Sequence, residues 1–554
     1  MNKIMYDYII LKKLDFSSPF GGFSSCAAAG NHYNNGMTRK REETVMFNTA
    51  TICILISVVV YLVGMLVIGF MYSKNSTTED FYLGGRKLGP IVTAMSTEAS
   101  DMSAYLLMGV PGLAFFCGVA EAGWTAIGLS LGTYLNWLIV AKRLHRYSVK
   151  IDAITVPDFL SRRFRDKTKL IETIGALTVI IFFVPYTASG FAACGKLFNS
   201  LFGFDYMTAM IVSAAVIVAY CATGGFMAAS VTSLIQGFVM TIALIIVLIF
   251  GINVAGGWSA VMENAKGIPG YLNFGASTDI ITGNATSYGA LKILSTLAWG
   301  LGYFGMPHVL LHFMAAKSEE KLTFSRRMAT IWVVISLSVA VVIGIVGFSM
   351  AKTGAITLPG SESEAENLIV NTAALLSTHG ALAALVGGII IAGILAATMS
   401  TADAQLLAAA SGVTHNLLTD VLGIKLDDKK TMLIARLTVI IVAILGVIFA
   451  SNPNSSIFRV VSFAWAGFGA TFGPVMLFAL FWKRCNYQGA IAGMISGAAT
   501  VFIWKYLVAP LGGILAIYEL LPAFVVSCIF IVVVSLCTAE PEAAIKEEFD
   551  SVVA

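Results

Sequence analysis

Charge is what this chain has least of. Of its 554 residues 12% are Asp, Glu, Lys or Arg, while 57% are hydrophobic. A soluble globular chain carries about 25% charged residues, so a water-soluble fold of this length is excluded. Cysteine is present without pattern. Cys26, Cys53, Cys117, Cys194, Cys221, Cys485, Cys528 and Cys537 form no CxxC or similar spacing, so neither a zinc site nor a disulfide framework is signalled. They read as small apolar fillers. No basic run is interleaved with aromatics, which leaves nucleic acid without a footprint. His308 and His312 stand four apart, but no third ligand or HExxH pattern accompanies them. No nucleophile–base or metal constellation points to an enzyme, and the two histidines suit packing.

What is there is apolar sequence in long runs. A membrane span uses about 20 such residues, so one large helical bundle accounts for the length. Thirteen spans are expected: 47–73, 91–117, 121–141, 170–196, 206–222, 231–254, 288–313, 329–351, 379–410, 432–450, 457–481, 488–507 and 517–537. The fold class is all-α integral membrane. The polar loop 255–287 suits either a short helix or a mobile lid.

Cation placement orients the bundle. The loop 142–169 is rich in Lys and Arg, and Lys317, Lys321, Arg326, Arg327, Lys425, Lys429, Lys430, Lys483 and Arg484 follow in loops of the same parity. Glu362, Glu364 and Glu366 lie on the other side. Thirteen spans then put the N-terminus outside and the C-terminus in the cytoplasm. Residues 1–45 differ from the rest. They are mixed and polar, fit no signal or transit peptide, and carry Arg39, Lys40 and Arg41 on the wrong side. In a bacterial gene, Arg41-Glu42-Glu43 can be encoded by a GGAGG-containing ribosome-binding stretch shortly before Met46. The expectation is a non-native or disordered extension over 1–45, a transmembrane domain over 46–540 and a cytoplasmic tail over 541–554.

Two spans are interrupted. One reads Ser96-Thr97-Glu98-Ala99-Ser100-Asp101-Met102-Ser103-Ala104-Tyr105, then Gly109, Pro111 and Gly112. The other reads Trp299-Gly300-Leu301-Gly302-Tyr303-Phe304-Gly305-Met306-Pro307. Gly and Pro weaken a helix, and backbone groups freed at membrane depth must be satisfied by protein, water or an ion. The breaks stand five spans apart, as expected when a five-helix unit is repeated in inverted topology with a binding site between the interrupted helices. Close packing through small residues is the alternative for either break alone.

Asp101 is an intramembrane carboxylate, which marks a functional site by default; a structural hub for the broken helix is the other reading. Glu98 lies one turn earlier and is expected to be solvated near the cytoplasmic mouth. Asp403 invites the same caution. Ala397, Ser400 and Thr401 share one helix face. Two hydroxyls with a freed carbonyl suit a small hard cation, which wants oxygens, and carbonyls of Ala99 and Met102 could complete the shell. Tyr105, Tyr186, Trp299 and Tyr303 cluster at the same depth, as a cavity wall would.

Taken together these stretches resemble the sodium/solute symporter family, most closely its sodium/proline symporters. The matching text is Tyr82-Leu83-Gly84-Gly85-Arg86, Ala99-Ser100-Asp101-Met102-Ser103 with Leu106-Leu107-Met108-Gly109, Trp299 to Gly305 with Pro307-His308, Met399-Ser400-Thr401, and Ala464-Trp465-Ala466-Gly467-Phe468-Gly469. The resemblance implies a LeuT-like five-helix inverted repeat with two broken helices. It implies sodium at Ala99, Met102, Ala397, Ser400 and Thr401, with Asp101 in sodium coupling and Arg86 at a cytoplasmic gate or entrance. It implies proline contacts from Ser103, Tyr105, Gly109, Tyr186, Trp299, Tyr303, Pro307 and Gly388.

This chain departs from the family pattern in three places. Proline transporters usually read Ser-Gly-Trp where Ser103-Ala104-Tyr105 stands. Val231-Thr232-Ser233 replaces a common Trp-Thr-Asp, removing a carboxylate. Glu98 and Asp403 stand where small or neutral residues are frequent. The reading is sodium-coupled uptake of L-proline across a bacterial cell membrane by alternating access, with sodium as coupling ion and no other cofactor, nucleic acid or obligate protein partner. Another small amino acid or organic anion is the alternative substrate; a channel or membrane sensor is the alternative class.

Overall fold

The computed structural model describes residues 48–72, 78–221, 225–424 and 427–553; the extension expected over 1–45 lies outside them. The first helices are α1 (Thr49–Tyr72), α2 (Pro90–Asp101), α3 (Tyr105–Cys117) and α4 (Val119–Lys150). Next come α5 (Val156–Arg163), α6 (Leu170–Phe202), α7 (Tyr206–Cys221), α8 (Phe226–Val254) and α9 (Trp258–Lys266). The middle of the chain forms α10 (Ala290–Leu297), α11 (Pro307–Ala315), α12 (Leu322–Lys352) and α13 (Leu368–Ser377). The last third forms α14 (Ala381–Val421), α15 (Asp428–Phe449), α16 (Ile457–Phe481), α17 (Tyr487–Leu511), α18 (Leu520–Cys537) and α19 (Ala543–Val553).

Each expected apolar run coincides with helix, but the count differs. Among the described residues ten helices are long and apolar enough to cross a bilayer, or eleven if the bent pair α2–α3 is one span. The expected segment at 206–222 forms a helix of 16 residues, and that at 288–313 is interrupted between α10 and α11. The loop 255–287 is ordered: α9 is followed by an antiparallel pair of strands, Ala276–Thr278 with Ala285–Ser287. Tyr271 of this loop is buried, and its hydroxyl donates to the Ala114 and Phe115 carbonyls at the end of α3.

The apolar residues of α1, α17 and α18 mostly face outward, whereas α16 is buried along nearly its whole length. In a bilayer an exposed Leu or Ile is solvated by lipid, so polarity and small size decide which face turns inward. Glycines set the closest approach. A Cβ on Gly300 would lie 2.3 Å from the Gly128 carbonyl oxygen, and one on Gly132 equally close to that of Gly300. Backbone meets backbone where α4 crosses the segment between α10 and α11.

The two ends of the bundle are tied by charge. At one end Arg459, opening α16, donates to Glu121 at 2.5 Å and to both oxygens of Glu362, while Lys196 donates to Glu366 at 2.7 Å. At the other end the acidic helix α19 docks on the basic loop, with the Tyr147 hydroxyl donating to Glu548 and Phe549 packed against the Arg143 and Arg163 guanidinium groups. Glu366 and Glu362, expected as loop acids, are therefore parts of a buried and a half-buried ion pair respectively. Such pairs are kept only with good geometry and further hydrogen bonds, and Glu366 has these from Ser456 and the Phe458 N–H.

Candidate ion and substrate site

The first break is short. α2 ends at Asp101, and Met102 leaves helical geometry at φ −76° and ψ 73°. The Met102 N–H closes on the Glu98 carbonyl at 2.8 Å and the Ser103 N–H on that of Asp101 at 2.9 Å. The chain resumes as a π turn over Tyr105–Gly109, and the two halves meet at 61°. The second break is longer: Ala298–Phe304 winds as a 3-10 helix, then Gly305 and Met306 lead into Pro307 at the start of α11. Pro307 is buried at a first-turn position, where its missing N–H costs nothing.

Asp101 connects the breaks. Its side chain is fully enclosed. Oδ2 accepts from the Tyr303 hydroxyl at 2.6 Å, Oδ1 has no hydrogen-bond partner among the described residues, and its carbonyl accepts from the Tyr186 hydroxyl at 3.2 Å. One residue thus engages α2, the second break and α6.

Ser400 on α14 spans the remaining side. Its hydroxyl donates to the Ala99 carbonyl at 2.7 Å and lies 3.2 Å from that of Ala397. The Thr401 hydroxyl is buried nearby in sequence without a hydrogen-bond partner among the described residues. Ala99, Ala397 and Ser400 are in contact, therefore, with Thr401 on the next residue of the same helix and Met102 at the break. The Met102 sulfur accepts from the Tyr105 hydroxyl at 3.0 Å.

The aromatic residues follow. The Trp299 ring centre lies 6.4 Å from that of Tyr105 and 6.1 Å from Trp465 of α16, and the Trp465 indole donates to the Trp299 carbonyl at 2.7 Å. Tyr303 meets Trp465 edge-on at 5.0 Å. Ser103 is buried and its hydroxyl accepts from the Tyr105 N–H at 3.4 Å. Gly109 allows close contact with Phe458, since a Cβ there would lie 3.2 Å from the Phe458 Cβ. Gly388 is placed elsewhere: a Cβ there would lie 2.6 Å from Ser57 of α1, so this glycine brings α1 and α14 together. Arg86 sits at the end that carries α19, donating to the Met314 and Ala153 carbonyls at 2.9 and 2.7 Å.

Glu98 is a correction. It is buried, not solvated at a mouth, and Oε1 accepts from the Trp137 indole of α4 at 2.8 Å while Oε2 has no partner. Asp403 is also buried; the Cys221 thiol donates to Oδ1, and among the described residues Oδ2 is given no hydrogen bond. Near the missing carboxylate, the Thr232 hydroxyl accepts from Tyr220 at 2.5 Å. His308 and His312 have packing places, His308 against Phe183 and Tyr186 and His312 against Phe226.

Several residues were not singled out from sequence. Trp137, Phe458 and Tyr518 gave no signal beyond being aromatic, while Trp465 lay inside a motif quoted above and was not assigned a place.

Residues 81–497 match the family model described as the sodium:solute symporter family. The chain belongs to the sodium:solute symporter family. Among curated members it is 39% identical over 493 residues to the osmoregulated proline transporter OpuE of Bacillus subtilis, covering 89% of this chain and 96% of that one. It is likewise 39% identical over 499 residues to the sodium/proline symporter of Escherichia coli K12, covering 89% and 95%. Solved structures agree on the fold. A Na+-coupled sialic acid symporter, in a substrate-bound outward-open state, superposes with a TM-score of 0.72 at 17% identity, covering 88% of this chain and 99% of that one. MhsT in complex with L-phenylalanine gives 0.53 at 13% identity, covering 80% and 99%. The fold of this symporter-family chain is the LeuT-like inverted repeat with two broken helices, as the resemblance implied and as the spacing of the breaks suggested for the repeat.

Proposed function

We propose that this protein couples the inward movement of sodium to uptake of L-proline by alternating access. The observation that carries the reading is the Ser400 hydroxyl bridging α14 to the Ala99 carbonyl at the break in α2. In the absence of an ion, that hydrogen bond satisfies a carbonyl freed at membrane depth. A sodium ion among Ala99, Met102, Ala397, Ser400 and Thr401 would replace it with oxygen ligation, the chemistry a hard cation requires. Asp101 supports coupling through Tyr303: one side chain ties the ion-bearing break to the break that carries the aromatic wall.

Proline is a compact zwitterion with an apolar ring. Tyr105, Tyr186, Trp299 and Tyr303 offer an aromatic wall for the ring, with Ser103, Gly109 and Pro307 alongside, and the freed ends of the broken helices offer partial charges for the ammonium and carboxylate. Sodium binding favours one access state and proline the closure of that state, and the differential affinity of each ligand for the states is the coupling. The relatives named for proline support this substrate. The basic loop at the α19 end supports a cytoplasmic C-terminus, with Arg86 fastening the cytoplasmic entrance. Gly388 acts in packing α14 on α1. A second reading keeps the sodium site and changes the cargo to another small zwitterion or organic anion; Tyr105 in the wall favours it.

The test is radiolabelled proline uptake into proteoliposomes, with and without an inward sodium gradient. Sodium-dependent accumulation in the native protein, lost in Asp101→Asn, is the expected result. A folded native protein that accumulates no proline overturns the substrate assignment.

A further inference from the structure

Trp299 has four aromatic neighbours, and they are not equivalent. Ring centres lie 5.1 Å away at Phe458, 5.3 Å at Tyr518, 6.1 Å at Trp465 and 6.4 Å at Tyr105. Tyr105, on the break in the first interrupted helix, is the loosest. Tyr518 is the most nearly parallel, at 23°. It belongs to the connection between α17 and α18, beyond the residues matched by the family model and outside the paired five-helix units.

Tyr518 is held on both sides. Its N–H donates to the Ser295 hydroxyl of α10 at 2.7 Å, and its own hydroxyl donates to the Ser462 carbonyl of α16 at 2.7 Å. The ring is buried between those helices. The next residue, Glu519, accepts from Lys505 of α17 at 3.2 Å with both side chains largely buried, which fastens the connection to its own hairpin. With its backbone fixed on Ser295, the ring cannot swing from Trp299 without giving up the hydroxyl's hydrogen bond to the Ser462 carbonyl in a buried site.

We propose that Tyr518 is a positioning residue for the substrate site: it fixes the plane of the Trp299 indole and thereby sets which ring sizes the aromatic wall accepts. The inference rests on the reading of Trp299 as part of that wall. It assigns the α17–α18 hairpin a part in specificity, although the hairpin lies outside the repeat that binds ion and substrate. A side chain that shapes a wall without touching the ion alters substrate affinity and selectivity and leaves sodium coupling alone.

The experiment compares native protein, Tyr518→Leu, which stays apolar and loses both the stack and the bond to Ser462, and Tyr518→Phe, which keeps the stack and loses only that bond. Proline KM, Vmax per mole of protein, sodium half-saturation and the preference for proline over its four-membered-ring analogue azetidine-2-carboxylate are measured in proteoliposomes. Tyr518→Leu is expected to raise proline KM roughly three- to tenfold, the range of one aromatic pair, and to narrow the preference for proline. Vmax and sodium half-saturation stay within about twofold, and Tyr518→Phe returns KM to within about twofold of native. An unchanged KM and preference in Tyr518→Leu, or a Phe variant as impaired as the Leu variant, overturns the proposal. A second readout needs no substrate: the change that Tyr518→Leu causes in the tryptophan bands of the near-ultraviolet circular dichroism, at wavelengths longer than tyrosine absorbs, should vanish in a Trp299→Phe background, and its persistence there overturns the fixing of Trp299. No proline uptake by native protein strikes the substrate assignment instead, and the spectroscopic arm still decides the role of Tyr518.

Discussion

The two helix breaks solve the same problem with different materials. The first, at Met102 and Ser103, is short and polar, and the bond that closes it comes from another helix, through the Ser400 hydroxyl on the Ala99 carbonyl. The second, at Ala298–Met306, is longer, tightly wound and glycine-rich, and it is closed by bulky or short neutral donors set in close contact: the Trp465 indole on the Trp299 carbonyl, the Asn136 amide on the Tyr303 carbonyl, Gly300 on Gly128, and Gly302 beneath the Trp465 indole. A break satisfied by a hydroxyl can exchange that hydroxyl for an ion. A break satisfied by packed indole and amide donors holds a surface still. The first suits a coupling site and the second suits a substrate wall, and Asp101 with Tyr303 joins them.

Substitutions in each break should separate these roles. The largest effect is expected at Gly302→Ala, whose Cβ would fall 1.9 Å from the Trp465 Nε1. Indole and helix would have to move, at a cost of at least about 1–3 kcal/mol, and the yield of monodisperse protein in detergent should fall severalfold along with uptake; a fully active, normally expressed variant would show that the second break is not held by packing. Next is Asp101→Asn, expected to lower sodium-driven proline uptake by at least about tenfold with protein abundance unchanged, because an amide keeps the shape and loses the charge. Equal sodium dependence in the variant would place coupling elsewhere. Ser400→Ala should be smaller, raising the sodium half-saturation by roughly fivefold, about one hydrogen bond's worth, with proline KM at saturating sodium nearly unaltered. A change in proline KM alone would erase the division between the two breaks. The smallest effect is expected at Tyr105→Trp, which enlarges the wall and should lower proline KM by about two- to threefold; competition assays against other small zwitterions would register a parallel gain in selectivity.

Much of this site is written locally. Gly, Pro and Asp interrupting an apolar run announce a broken helix because each carries a cost in lipid that only a site repays. Ala397, Ser400 and Thr401 announce a shared face because helical spacing is regular. Features that depend on partners far along the chain are hidden. Glu98 looks like a mouth residue until Trp137 is seen to donate to it. Glu362 and Glu366 look like loop acids until Arg459 and Lys196 reach them. Gly388 reads as a substrate contact by resemblance, and only the position of α1 shows what its missing side chain makes room for. Length and composition alone give fewer spans than thirteen, because the helix over 206–222 has 16 residues and 288–313 is interrupted between α10 and α11, although both segments are helical as expected.

The glycine contact between α4 and the second break has a mechanical consequence. Interlocked side chains resist sliding because each must change rotamer to let its neighbour past. At Gly128, Gly132 and Gly300 there are no side chains to interlock. The crossing is a smooth bearing pinned at one point, because the Asn136 amide of α4 donates to the Tyr303 carbonyl at 3.1 Å, so the element that carries the substrate wall can tilt against α4 only by pivoting about that bond or breaking it.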